Sequence, residues 1–413
     1  MADVLMSRRA ALAGAAGLAL AGCASSPSDA DSPSPASTRA PSQQSRVASA
    51  APSDLTPTTG HSGTPVITIG SAHGLIGMWP HEPIDITVEN GDIAEVIVTD
   101  ATGRAIPGSV TGSQWRPDRG ALLVRSSYQV DVTVKDGQGQ DHRSAAAITT
   151  VNPAMAVEVD FRYADGYAIG NGMPIWVRFD LPINDDQRAA IEKSATVTTE
   201  PPQEGSWGWA DASTLFWRPR AYWVAGSRAH VDVRAAGLPG GDTWILHDAA
   251  ADYIYGDLRV LMANIDTHAL TCLRNGEVVA TLPVSMGKPG YETMTGTKVI
   301  MDKQNPVIMD SETYGVPHSD PEGYRIVANY AQRITWSGEY FHSAPWADAD
   351  HGFVNVSHGC TGMSEENAVW LYGFTEIGDP AEFIGSTAPV QPHQTIGCWT
   401  YTWEQWQGQS ALR

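Results

Sequence analysis

Two histidines and one cysteine stand close together in a pattern that suits nucleophilic chemistry. His342 opens the run His342-Ser-Ala-Pro-Trp346, and fifteen positions later comes Ser357-His358-Gly359-Cys360. A cysteine attacks as thiolate, so it needs an imidazole to take its proton, and a neighbouring glycine lets a substrate carbonyl approach the backbone. A buried, inert thiol needs neither. The chemistry these residues support is acyl transfer through a thioester on Cys360. The backbone N–H groups of Gly359 and Cys360 are the natural donors to the developing oxyanion.

Local pattern says what must position them. Gly352-Phe-Val-Asn-Val-Ser357 alternates apolar and polar residues, which places the thiol at or just past a strand end. Ser364 followed by Glu365 and Glu366 reads as an N-cap with an acidic first turn, opening a helix through Ala368, Leu371 and Tyr372 towards Gly378. The helix N-terminus could help lower the thiol pKa if it points that way. Either histidine could serve as base. His358 and Cys360 would share a strand face about 6.6 Å apart along the chain, an awkward reach. His342, on a separate segment, is free to approach and is the favoured base. Upstream, Arg259–Ala263, Ala269–Leu273 and Val278–Leu282 read as strands, and Asn275-Gly276 is a hairpin signal.

Residues before this unit carry an internal repeat. Trp115-Arg116-Pro117 followed by Val130-Asp131-Val132 returns, 102 residues later, as Trp217-Arg218-Pro219 and Val231-Asp232-Val233. Short alternating runs broken by Gly-Asp, Asp-Gly and Pro-Gly turns predict antiparallel β-sandwiches. The fold class is therefore mainly β: two immunoglobulin-like sandwiches, residues 59–150 and 151–251, then a β-rich unit, 252–387, with a short helix after the cysteine. Trp115 and Trp217 fit the core of the repeated fold. Residues 388–413 hold Trp399, Tyr401, Trp403 and Trp406, too aromatic for a loose end. They are expected to pack on the folded part; a carbohydrate-binding strip is the other reading.

Arg8 and Arg9 precede an apolar stretch, Ala10 to Ala21, with signal-peptide proportions; either general or twin-arginine export fits it. It ends in Leu20-Ala21-Gly22-Cys23, which is similar to the bacterial lipobox. Residues 1–22 are thus read as a leader, with Cys23 lipidated and anchoring the chain to the membrane on its extracytoplasmic face. Residues 23–58, rich in Ser, Pro and Ala, read as a flexible linker. Net charge is −20, which excludes nucleic acid as a partner and electrostatic adhesion to anionic surfaces. The remaining cysteines, Cys272 and Cys398, could pair or stand as buried thiols. No metal-ligand spacing joins His268, His318, His351 or His393 to carboxylates or cysteines, so no metal or other cofactor is expected. The chain is expected to act as a monomer.

The unit with Cys360 resembles the catalytic domain of L,D-transpeptidases, whose signature is a histidine, a spacer, then Ser/Thr-His-Gly-Cys. Here His342, fourteen intervening residues and Ser357-His358-Gly359-Cys360 fit it. Met286-Gly287-Lys288-Pro289, Thr295-Gly296-Thr297, Met309-Asp-Ser-Glu-Thr-Tyr-Gly-Val-Pro317 and Gly323-Tyr324-Arg325 agree as well. With the sandwiches and lipobox, the whole chain looks like a mycobacterial lipoprotein-type member. The resemblance implies cleavage of a stem tetrapeptide after its third residue, release of D-alanine, and transfer to the side-chain amine of diaminopimelate on a neighbouring stem. The product is a 3→3 peptidoglycan cross-link, and β-lactams, chiefly carbapenems, are the expected covalent inhibitors.

The resemblance also implies roles. Cys360 is the nucleophile and His342 the base, oriented by the Ser343 carbonyl. His358 orients the loop, and Ser357 is a local hydrogen-bonding residue. Tyr314 and Tyr324 line the substrate path within a lid over about 303–333. Trp346 is read as core. One departure stands out: the family's apolar residue and asparagine after the cysteine are Thr361 and Gly362 here, a pair shared with the type-5 transpeptidases that the chain most resembles. A missing amide at Gly362 predicts sluggish acylation by carbapenems, sped by Gly362→Asn if its surroundings accommodate the side chain. Two rivals remain, a carboxypeptidase that transfers to water and a non-catalytic wall-binding scaffold. A papain-like endopeptidase is disfavoured, because there the cysteine precedes the histidine.

Overall fold

The alternating runs build paired sheets. In the strand Ser127–Lys135 every second residue from Tyr128 to Val134 is buried, so one face makes the core while the other meets solvent. The computed structural model describes residues 62–164 and 166–413, the side chain of Tyr314 excepted. The leader, Cys23 and the linker lie outside the described residues. Among the described residues, no helix is long and apolar enough to cross a membrane.

The first sandwich sets the strands Val66–Gly70, Ile84–Glu89, Gln114–Pro117 and Gly108–Thr111 against a second sheet of Ile76–Met78, Asp141–Thr150, Ser127–Lys135 and Asp92–Asp100. Trp115 sits in its core, 2% exposed. The second sandwich likewise faces two four-stranded sheets and buries Trp217, Trp223, Tyr253 and Tyr255 together. It adds a helix, Asp185–Lys193, opened by a capping box between Asn184 and Gln187.

The aromatic tail completes the second sandwich. Ile396, Cys398 and Trp406 join its core, and the Trp406 indole donates to the Ser206 carbonyl at 3.1 Å. The Arg218 guanidinium lies over Trp399, 4.4 Å from the ring centroid, with Trp403 and Trp406 at 5.3 and 5.6 Å. These rings gather around a buried arginine.

Behind the site, a five-stranded sheet runs in the order Glu277–Pro283, Ala269–Arg274, Arg259–Asn264, Pro380–Ile384, Gly296–Val299. Asn275 and Gly276 take φ of 53° and 87°, the left-handed pair that closes a two-residue hairpin between Arg274 and Glu277. A four-stranded sheet, Asp302–Gln304, Ala331–Arg333, Tyr340–Ser343 and Thr361–Met363, carries the chemistry. Both ends of the segment read as lid therefore belong to this sheet. The lid itself is the hairpin Val307–Asp310 with Arg325–Ala328 and the turn between them. The helix Glu365–Phe374 packs beneath, its Ser364 side chain accepting from the Asn367 N–H. Lys303 caps its far end, donating to the carbonyls of Tyr372 and Thr375 at 2.6 Å each. Cys272 and Cys398 are separate buried thiols in different cores.

Candidate active site

The strands Tyr340–Ser343 and Thr361–Met363 run parallel, with His342 beside Gly362. Cys360 precedes Gly362 by two positions, so His342 and Cys360 share one face of the sheet. Both line a pocket of about 300 Å³ roofed by Met309, Tyr324 and Ile326 of the lid. His342 is buried, and its Nδ1 lies 2.8 Å from the Ser343 carbonyl oxygen. A carbonyl only accepts, so Nδ1 carries the proton and Nε2 is left as the basic nitrogen. The Ser343 hydroxyl in turn donates to Glu365 in the first turn of the helix.

The thiol of Cys360 is held as a neutral group. It donates to the Gly338 carbonyl at 3.5 Å, and burial pushes it up to about 12, outweighing the Tyr340 backbone and Lys298, which favour the thiolate. Burial also lowers His342. The resting pair is thus thiol and imidazole, not a preformed ion pair. The first turn of the helix Glu365–Phe374 carries the Ser364 cap and the acidic Glu365 and Glu366.

The loop before the cysteine is closely tied. Gly359 has φ of 115°, a conformation that favours glycine. Its N–H donates to the Ser357 hydroxyl at 3.1 Å, and that hydroxyl donates to the Cys360 carbonyl at 2.6 Å. The Gly359 N–H is therefore occupied at rest. Thr293, fully buried, donates to the Gly359 carbonyl at 2.9 Å and accepts from the Gly287 N–H at 2.8 Å.

His358 faces the lid. Its Nε2 lies 2.7 Å from Glu322, which also accepts from Lys288. Tyr291 and Tyr324 flank the imidazole at ring distances of 4.5 and 5.1 Å. Glu322 thus clasps the lid to both sides of the cysteine loop, and these partners hold its carboxyl below the usual range. On the lid's outer turn His318 meets Asp310 at 2.8 Å and Glu312 at 3.6 Å, an association their spacing did not reveal. Trp346, read as core, is 58% exposed and stacks on His342 at 6.0 Å, so it forms the pocket rim instead. The Tyr314 side chain lies outside the described residues.

Other partners had no signature of their own. Lys298 and Glu339 form a buried ion pair behind the loop. Glu339 also accepts from the Met294 N–H at 2.8 Å, and Lys298 lies 3.8 Å from the Phe383 ring centroid. His351 is buried against the pocket with neither ring nitrogen hydrogen-bonded among the described residues, Asp348 standing 3.5 Å from Nδ1. A lysine inside Thr297-Lys-Val299, on a short strand, was the one visible hint.

Gly362 lies where these surroundings leave little room. A Cβ there would stand 3.0 Å from the Ala344 Cβ, 3.7 Å from the Ser285 carbonyl and 3.8 Å from His351 Nε2. The 3.0 Å contact means that Ala344 must give by a few tenths of an ångström before a side chain at position 362 fits. We expect that variant to lose about 1–3 kcal/mol of stability through overpacking and to be acylated by a carbapenem no faster than the parent. Thermal melts and acylation followed by mass check both; faster acylation without a fall in melting temperature would contradict the crowding argument.

A thiol and an imidazole on one face of parallel strands, under a lid and preceded by immunoglobulin-like sandwiches, define a class of acyl-transferring enzyme. Residues 258–383 match the L,D-transpeptidase catalytic domain and residues 77–239 match a bacterial Ig domain. The chain is 32% identical over 351 residues to L,D-transpeptidase 2 of Mycobacterium tuberculosis, covering 84% of this chain and 85% of that one. It is 30% identical over 363 residues to L,D-transpeptidase 5 of the same species, covering 84% and 77%. It is also similar to a solved L,D-transpeptidase in complex with imipenem, at 35% identity and a TM-score of 0.49, covering 56% of this chain and all of that one. The chain belongs to the L,D-transpeptidase family.

Proposed function

We propose that this enzyme forms 3→3 peptidoglycan cross-links through a thioester on Cys360, with His342 as base. The observation that carries the reading is the Nδ1–Ser343 contact of 2.8 Å, which turns a basic Nε2 loose on the face that Cys360 shares. Because thiol and imidazole both rest neutral, the proton leaves sulfur as it attacks, not before.

The Cys360 thiol proton passes to His342 Nε2 while Sγ bonds to the carbonyl carbon of the donor stem's third residue. The Cys360 N–H supports the oxyanion. The C–N bond then breaks, and His342 returns its proton to the leaving amine of D-alanine. In the second half the diaminopimelate side-chain amine of another stem attacks the thioester. It yields its proton to His342, the C–S bond breaks, and the thiol is restored. Carbapenems would acylate the same sulfur. The lipobox at Cys23 supports a lipid anchor that keeps this chemistry at the outer face of the membrane.

Incubation with a diaminopimelate tetrapeptide stem and weighing of the products tests the reading. A dimer lighter by one D-alanine is expected. Tripeptide alone would mark a carboxypeptidase, and unchanged stem a scaffold.

A further inference from the structure

The two immunoglobulin-like sandwiches leave a cleft of about 1150 Å³ between them, against about 300 Å³ above Cys360. Nothing in the transpeptidase chemistry uses it. Trp79 of the first sandwich and Trp244 of the second meet there edge to face, with ring centroids 5.9 Å apart. His73 stacks on Trp79 at 3.8 Å and His81 lies 5.8 Å from it, tilted by 30°, yet 38% of Trp79 stays exposed. The indole N–H of Trp244 and Nε of Arg119 are buried without an acceptor among the described residues, while the Arg119 head group pairs with Asp248 at 2.7 Å.

The charges around the cleft point to the kind of occupant. Asp118, Asp186 and Asp242 line the cleft together with Arg119, Lys193 and Arg234, three charges of each sign, while the whole chain carries −20. A balanced field gives no advantage to an anion or a cation. It does offer donors and acceptors at many angles beside a flat aromatic surface. A ligand that suits both is polar, uncharged and has apolar C–H faces.

We infer that the cleft between the sandwiches binds a neutral oligosaccharide, with a sugar ring stacked on Trp79 and its hydroxyls on the Asp and Lys side chains of the rim. The proposed function bears only on where such a sugar would come from. On that reading the glycan backbone of the cross-linked polymer would be held by the sandwiches while its peptide stems enter the pocket at Cys360.

Titration of the full chain with chitotetraose and with cellotetraose, by calorimetry and tryptophan fluorescence, tests the inference. Neither sugar carries a peptide, so the readout is independent of Cys360. Saturable one-site binding is expected, weakened about tenfold or more by Trp79→Ala and largely retained in Trp79→Phe. Dimer formation from sugar-free stems should be unchanged in both variants, which also shows that they fold. Preference for chitotetraose supports an acetamido glycan as ligand, and equal binding supports recognition through hydroxyls alone. Failure of both sugars to bind at millimolar concentration, or binding untouched by Trp79→Ala, overturns the inference. A chain that binds sugar but makes no stem dimer would refute the transpeptidase reading and leave the cleft standing.

Discussion

Cys360→Ser is expected to lower both stem cross-linking and carbapenem acylation by at least about a thousandfold while the melting temperature stays within a few degrees. Serine is nearly isosteric, so the pocket and its Gly338 contact survive the exchange. What changes is proton affinity. The buried thiol already sits at about 12, and a hydroxyl is far harder still to deprotonate beside an imidazole that burial has weakened as a base. His342→Ala should cost nearly as much, because the two act as one unit, and the double variant little more than either alone. Mass spectrometry of the protein after carbapenem treatment, alongside product masses from stems, reads the effect. A serine variant that still forms adduct at the parental rate would move the nucleophile elsewhere.

Lys298→Met is expected to be the most destabilising single change near the site, by about 3–5 kcal/mol, because it leaves the Glu339 carboxylate buried without its partner. Burial opposes both charges, lowering Lys298 and raising Glu339, so their mutual contact is what keeps them ionised. The loss should reach the chemistry too. Lys298 favours the Cys360 thiolate and Glu339 opposes it, so removing the lysine pushes the sulfur further from attack. Lys298→Met with Glu339→Leu removes both charges together and should recover most of the stability. It should not recover the acylation rate, since the Met294 N–H loses its acceptor and the backbone behind Gly359 is freed. Calorimetric melts set beside acylation rates separate the two effects. A double variant that is both stable and as fast as the parent would reduce the pair to scaffolding.

What could be read from the chain and what could not divide along physical lines. Cys360 and His342 were legible because attack on a carbonyl demands those side chains near each other, and the motif records them. Alternation revealed the strands, and Ser364 and Asn275-Gly276 announced their cap and turn through local backbone chemistry. Lys298 and Glu339 are 41 residues apart, and Glu322 and His358 are 36 apart. No local rule links such pairs; only the packing of sheet, loop and lid brings them together. The ionisation of Cys360 was equally hidden, since a motif names a thiol but not the water excluded around it. Trp346 misled because an aromatic beside a catalytic histidine reads as core, whereas here it stacks on that histidine from the solvent side. Gly362 was visible as a departure, but its crowding by Ala344 and His351 depends on a neighbouring strand and loop.

The Glu322 clasp has a bearing on how affinities measured on this enzyme should be understood. With His358 and Lys288 both tied to one lid carboxylate, a ligand that needs the lid open would settle only on the fraction of molecules in which this clasp is broken. Every apparent dissociation constant of such a ligand then exceeds the intrinsic one by the reciprocal of that fraction. The factor is common to a tetrapeptide stem and a β-lactam, so the clasp shifts the whole scale of affinities while leaving their order to the pocket. Selectivity and occupancy are in that sense set by different parts of the molecule. Salt, by screening an exposed ion pair, would act on occupancy alone.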